Sequence, residues 1–192
     1  MYPEDAAKTI SEYNYGLHCL LVYSDLPMLR EFYSRYIPEQ IRYKEEIIQI
    51  NPFYETEEFV RQVLYKGYRG MNMDKIDEID DDDDEEQKSL MIVDSLRKYS
   101  GQKNAESVWN ANQEMVKYAN GSGKKGVSIM GDMGSFLFEN RMEELVNYEL
   151  QLPSRFEINL KGICLYHQND FDRLSEYQKQ AIINHHETAI RI

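Results

Sequence analysis

The chain has 192 residues, 42% of them hydrophobic, and a formal net charge of −12. That length and apolar content suffice for one folded domain with a sizeable core and exclude a disordered chain. The negative balance argues against nucleic acid as a direct partner, because a phosphate backbone needs a basic footprint.

Residues 1–12 read as an N-terminal extension to a single domain at 13–192. The opening Met1-Tyr2-Pro3-Glu4-Asp5 lacks the basic region and apolar core of a signal peptide. No apolar run approaches the roughly 20 residues that span a bilayer, so a soluble, cytoplasmic protein without a membrane partner is expected. Residues 17–23 form a nearly all-apolar first strand, as expected where helices cover both faces of a sheet. Ser24 or Asp25 can cap the next helix, with Pro27 in its first turn. Leu26, Leu29, Tyr33, Tyr36 and Ile37 make its stripe, and Pro38 is expected to stop it.

A second strand at 47–50 precedes a helix with Glu55, Glu57 and Glu58 at its start, Lys66 at its end and Gly67 as C-cap. Residues 67–87 read as a surface excursion, with an acidic insertion at 77–86. That run lacks the spaced donors and turn glycine of an EF-hand loop. The third strand is expected at 90–94. The third helix, at about 105–119, carries Val108, Ala111, Met115 and Ala119 in register. A fourth strand at 127–130 ends at Gly131-Asp132 and is followed by a helix at about 138–150. A fifth strand at 163–166 precedes a last helix at about 174–191. Strands alternating with helices predict an α/β fold with a mostly parallel sheet of about five strands, without internal repeats.

Ser89-Leu90-Met91-Ile92-Val93-Asp94-Ser95-Leu96 resembles the Walker B strand of RecA-like and KaiC-like ATPases, whose aspartate helps hold a nucleotide's magnesium ion. That role needs a glycine-rich phosphate loop after the first strand, and no glycine occurs between Gly16 and Gly67. A carboxylate pair is also missing after the second strand, where Asn51-Pro52-Phe53 stands. The Gly-Lys pair within 120–125 precedes a strand instead of following one and reads as a turn. These features point to binding without catalysis.

Ligands of open parallel sheets bind outside the carboxyl ends of the strands. If the fourth strand lies between the first and the third, Tyr23, Asp94 and Asp132 converge there, joined by Tyr166 from the fifth. Glu149 and His185 interrupt apolar helical stripes and are further ligand-binding candidates. His18 reads as a core histidine satisfied by hydrogen bonds. Cys19 and Cys164 read as buried reduced thiols without zinc spacing, and His185-His186-Glu187 lacks the spacing of a zinc helix. No metal and no cofactor are expected.

Several stretches together resemble the MEDS domain, the methanogen/methylotroph DcmR-type sensory domain. They are His18-Cys19-Leu20-Leu21-Val22-Tyr23, Gly131-Asp132-Met133-Gly134-Ser135-Phe136-Leu137 with the trailing Tyr148-Glu149, Gly162-Ile163-Cys164-Leu165-Tyr166, and Asn184-His185. Phe136 stands where that family commonly has tryptophan, and the acidic insertion is unusual for it. The resemblance implies a RecA/KaiC-like three-layer sandwich without a working phosphate loop. It also implies a signal-input role in signal transduction or transcription control, with an unknown small molecule or a signalling protein as partner. A homo-oligomer is compatible with it. The alternatives are a divergent nucleotide-binding enzyme using Asp94 and Asp132 with one metal ion, and a pure interaction adaptor.

Overall fold

The computed structural model describes residues 1–66, 68, 89–99 and 104–192. The acidic insertion and the Gly67 cap lie outside them. The elements in chain order are α1 (Pro3–Glu12), β1 (His18–Tyr23), α2 (Leu26–Tyr43), β2 (Glu46–Asn51), α3 (Glu57–Lys66), β3 (Leu90–Ile92), α4 (Ser95–Tyr99) and α5 (Ala105–Gly121). They continue with β4 (Gly126–Asp132), α6 (Gly134–Phe138), α7 (Met142–Gln151), β5 (Leu160–His167), α8 (Gln168–Phe171), α9 (Glu176–His185) and β6 (Thr188–Arg191).

The fold is α/β, and the described residues form one sheet of six strands in the order β3-β2-β4-β5-β1-β6 with every neighbouring pair parallel. Alternation along the strands sorts side chains into two layers. Cys19, Leu21 and Tyr23 of β1 join Met130, Ile163 and Leu165 beneath α1, α2 and α3. Leu20 and Val22 join Cys164 and Tyr166 beneath α4 to α9. The fully buried Phe32, Tyr33, Tyr36 and Ile37 of α2 are the largest helical contribution to the first layer. Each stabilises the fold by roughly 1.5–3 kcal/mol relative to exposure.

Five expectations are corrected. The sheet has six strands, because the chain leaves the last helix at His186, whose extended backbone (φ −84°, ψ 146°) turns it into β6 alongside β1. Helix α2 runs through Pro38 to Tyr43, since burial of Ile37, Gln40 and Ile41 outweighs the hydrogen bond that proline cannot donate. The expected helix at 138–150 starts only at Met142 as α7, because Asn140, in the left-handed region at φ 57°, ends a short helix α6 that precedes it. The buried face of α5 is Ala105, Val108, Asn112, Val116 and Ala119, while Ala111 is exposed. Finally, β4 lies between β2 and β5, and β3 is an edge strand. The N-terminal segment is itself helical, with α1 burying Ala6, Ala7 and Ile10.

Gly16 fixes the entry to β1. Its φ of 99° suits glycine, and a Cβ there would meet the Phe156 carbonyl oxygen at 2.7 Å. Its amide donates to Leu160 O and its carbonyl accepts from Phe156 N. This close approach holds the first residues of β1, His18 among them, against β5. No helix among the described residues is long and apolar enough to cross a membrane.

Candidate functional site

At the carboxyl ends of the strands the start of α2 is closed. Asp25 caps the helix, its carboxylate accepting from Met28 N at 3.0 Å, so an acidic side chain occupies the place where phosphate would need free amides. Asn51, at the end of β2, is bound on both sides. It accepts from Gln49 Nε2 at 2.8 Å and donates to Val93 O at 3.1 Å. Tyr23 donates to Asp132 Oδ2 at 2.7 Å, and Asp132 Oδ1 accepts from Gly134 N at 2.9 Å. Burial pushes the Asp132 carboxyl up to about 7, although both hydrogen bonds favour its charged form. Burial, then the Asp132 carboxylate, pushes the Tyr23 hydroxyl far above its ordinary range. Beside this pair Tyr54 donates to Asp170, and His167 lies edge-on to Tyr23 with ring centres 5.3 Å apart.

The four expected crevice residues do not line one concavity. Tyr23 and Asp132 meet in the α1–α3 layer. Tyr166 points into the opposite layer, because its parity on β5 matches Cys164. Asp94 is exposed at the sheet edge, accepting from Arg97 N at 3.0 Å. Its neighbour Ser95 is the residue that reaches inward, donating to Asp132 O at 2.6 Å.

The second layer holds a denser polar centre. Tyr166 donates to Glu149 Oε1 at 2.6 Å. Around Glu149 Oε2 stand Cys164 Sγ at 3.3 Å, His186 Nε2 at 3.6 Å and His18 Nε2 at 3.8 Å. Those four donor atoms lie within 4.8 Å of one another, and all four residues are buried. Burial, and then the neighbouring His186 and His185, push the His18 imidazole down to about 2, against its hydrogen bond with Pro153 O. Burial, and then Glu149, hold the Cys164 thiol far above its usual range. Four elements supply the set: β1, α7, β5 and the turn between α9 and β6.

His185 stands just outside. Its Nε2 meets Leu152 O at 2.7 Å, and it is half-buried. The buried histidine is His186, which helical periodicity overlooks because the helix has already ended there. In the sequence His18 and Cys164 read as core residues within family-like stretches, not as ligands. Their shared parity on neighbouring strands, with Cys164 opposite Leu20 and Gly162 opposite His18, is the signal that brings them together.

A narrow cleft of about 30 Å³ adjoins this centre, walled by Val108, Ile129, Met133, Leu152 and Phe156 and reached by His18 and Cys164. Asn112 also lines it, and the side-chain oxygen of Asn112 is buried without a hydrogen-bond partner among the described residues.

The chain belongs to the MEDS family, described as the methanogen/methylotroph DcmR sensory domain, which it matches over residues 17–187. It is thus a member of a sensory domain family. No curated protein matches it. Its fold is similar to that of a Pyrococcus horikoshii OT3 protein known from a structural study. The TM-score is 0.54 at 12% identity, covering 100% of this chain and 88% of that one.

Proposed function

We propose that this domain is a non-catalytic signal-input module that takes up a very small organic molecule and passes its occupancy to a regulatory partner protein. The observation that carries this reading is the cleft beside the Glu149 centre. A water-sized sphere needs roughly 10–15 Å³ by the same measure, so about 30 Å³ suits a compound of a few heavy atoms. Its walls are largely apolar, with Lys98, Tyr99 and Tyr148 also lining it, and the unpartnered Asn112 oxygen calls for a hydrogen-bond donor, which favours short alcohols or amines. Against nucleotide chemistry stand the Asp25 carboxylate over the start of α2 and the fully engaged Asn51.

The test is a thermal-shift panel of one- to three-carbon alcohols and amines, with ATP and magnesium as a separate arm. A specific binder raises stability by about 2.7 kcal/mol at a hundredfold excess over its Kd. The expected result is a saturable rise from a panel member, lost in Asn112→Leu, with no shift and no phosphate release from ATP. A silent panel, or ATP turnover by the purified protein, overturns the reading.

A further inference from the structure

We propose that His18, Glu149, Cys164 and His186 form a four-coordinate site for a divalent first-row transition ion, best suited to zinc. The inference goes beyond the sensory reading and does not depend on it.

The geometry comes first. With metal–nitrogen and metal–oxygen distances near 2.0–2.2 Å and metal–sulfur near 2.3 Å, the edges of a tetrahedral site are roughly 3.3–3.7 Å. The contacts on the page run from Cys164 Sγ–Glu149 Oε2 at 3.3 Å, through Cys164 Sγ–His18 Nε2 at 3.5 Å and His186 Nε2–Glu149 Oε2 at 3.6 Å, to His18 Nε2–Glu149 Oε2 at 3.8 Å. Four of the six donor–donor separations thus match or nearly match tetrahedral edges, and all six lie within 4.8 Å, so the set closes on an ion by a modest contraction.

The supporting bonds aim the donors inward. His18 Nδ1 lies 2.9 Å from Pro153 O, and His186 Nδ1 lies 2.8 Å from Ile182 O. A carbonyl can only accept, so each Nδ1 carries the proton and each Nε2 turns a lone pair toward the centre. This is the arrangement in which metal-bound histidines are oriented by backbone carbonyls. The Nε2 of His186 is buried with no hydrogen-bond partner among the described residues, a costly state that a metal bond would relieve. Glu149 follows the same logic, with Oε1 engaged by Tyr166 and Oε2 turned to the centre.

Charge and ligand chemistry agree. A thiolate and a carboxylate bring two negative charges, which a divalent ion cancels. Two imidazoles, one thiolate and one carboxylate at tetrahedral spacing suit zinc and disfavour calcium or magnesium. On binding, the metal–sulfur bond forms as the Cys164 S–H bond breaks, and the proton leaves to buffer. Affinity should therefore rise with pH.

The test uses the full chain, stripped with chelator and titrated with Zn²⁺ and then Co²⁺. The expected result is one equivalent bound, with intense tetrahedral cobalt absorption in the visible and a thiolate-to-cobalt charge-transfer band. Cys164→Ser should abolish that band, whereas Cys19→Ser and His185→Gln should keep it. His186→Gln should weaken binding further than Tyr166→Phe, which removes only a supporting bond and should cost roughly 10–100-fold. Circular dichroism of each metal-free variant separates lost ligation from lost folding, and Tyr166→Phe keeps the test open if a ligand variant does not fold. The proposal is overturned by the absence of one-equivalent binding, by weak octahedral cobalt absorption without charge transfer, or by a band that survives in folded Cys164→Ser.

Discussion

Glu46 on β2 and Glu149 on α7 are both almost fully buried, one on each side of the sheet, and the fold treats them differently. Glu46 lies under α1 and α2. Its Oε1 meets Lys161 Nζ at 3.1 Å, and its Oε2 accepts from Ser128 at 2.5 Å. The lysine spends its remaining donors on Gln40 Oε1 at 3.1 Å and Ser11 O at 3.4 Å, so that ion pair is complete within the chain. Glu149, as deeply buried in the other layer, is surrounded by a tyrosine, a thiol and two imidazoles. A carboxylate removed from water needs a cation, a proton or a metal ion beside it. One layer provides the cation from its own sequence. The other provides ligands.

The comparison breaks most sharply at Lys161. Lys161→Met strands the Glu46 carboxylate and should cost on the order of 3–5 kcal/mol by chemical denaturation, with most of it regained in the double variant Glu46→Gln/Lys161→Met. An unchanged midpoint would mean that the pair is not what neutralises Glu46.

A third carboxylate sharpens the contrast, because Asp132 has neither cation nor ligand set among the described residues and is the one that burial drives toward a proton. Its folded pKa of about 7 stands above the ordinary carboxylate value of 3.8, so the folded state holds this proton more tightly than the unfolded chain. The stability it lends is fully present below the unfolded value and is lost as pH rises toward 7. The slope should be about 1.4 kcal/mol per pH unit across that window. Asp132→Asn should flatten this part of the profile and leave the variant more stable than the parent at pH 8. Equal slopes in the two proteins would refute the assignment.

The smallest expected effect is at Glu149. Without metal, Glu149→Gln keeps the acceptor for Tyr166 and removes a carboxylate that lacks a cation, so stability should change by no more than about 1 kcal/mol. The same variant should lose the rise in melting temperature that Zn²⁺ gives the parent. If it instead unfolds the metal-free chain as severely as Lys161→Met, the two layers do not differ in the way described.

The strands and their cores were readable because runs such as 18–23 and 47–50 are apolar on both faces, and only central parallel strands bury that much. The sixth strand was hidden because 186–191 continues a helical-looking pattern, and only pairing with β1 draws it into the sheet. Strand order was beyond reach for the same reason, since crossovers leave no local mark. Tyr23 with Asp132, and Tyr166 with Glu149, were each named from sequence, yet the layer that separates the two pairs depends on parity across strands. His186 was passed over in favour of His185 because the last helix reads in the sequence as running to about 191, and on a helix neighbouring residues point about 100° apart. Instead α9 ends at His185, and the extended backbone of His186 turns its ring inward.

The turn from α9 into β6 has a consequence for the outer edge of the sheet. Directly after His186, the amide of Glu187 donates to His18 O at 2.9 Å, so the edge strand starts one peptide away from two of the inward-facing imidazoles. Whatever restrains those rings also restrains the first rung of the ladder between β1 and β6. Amide protons at 189–191 should accordingly exchange with solvent more slowly when the imidazoles are held, and faster in His186→Gln. β6 is a border strand, the place where a strand from another polypeptide could add. Events in the dry interior would then be read outside as the firmness of a docking rail.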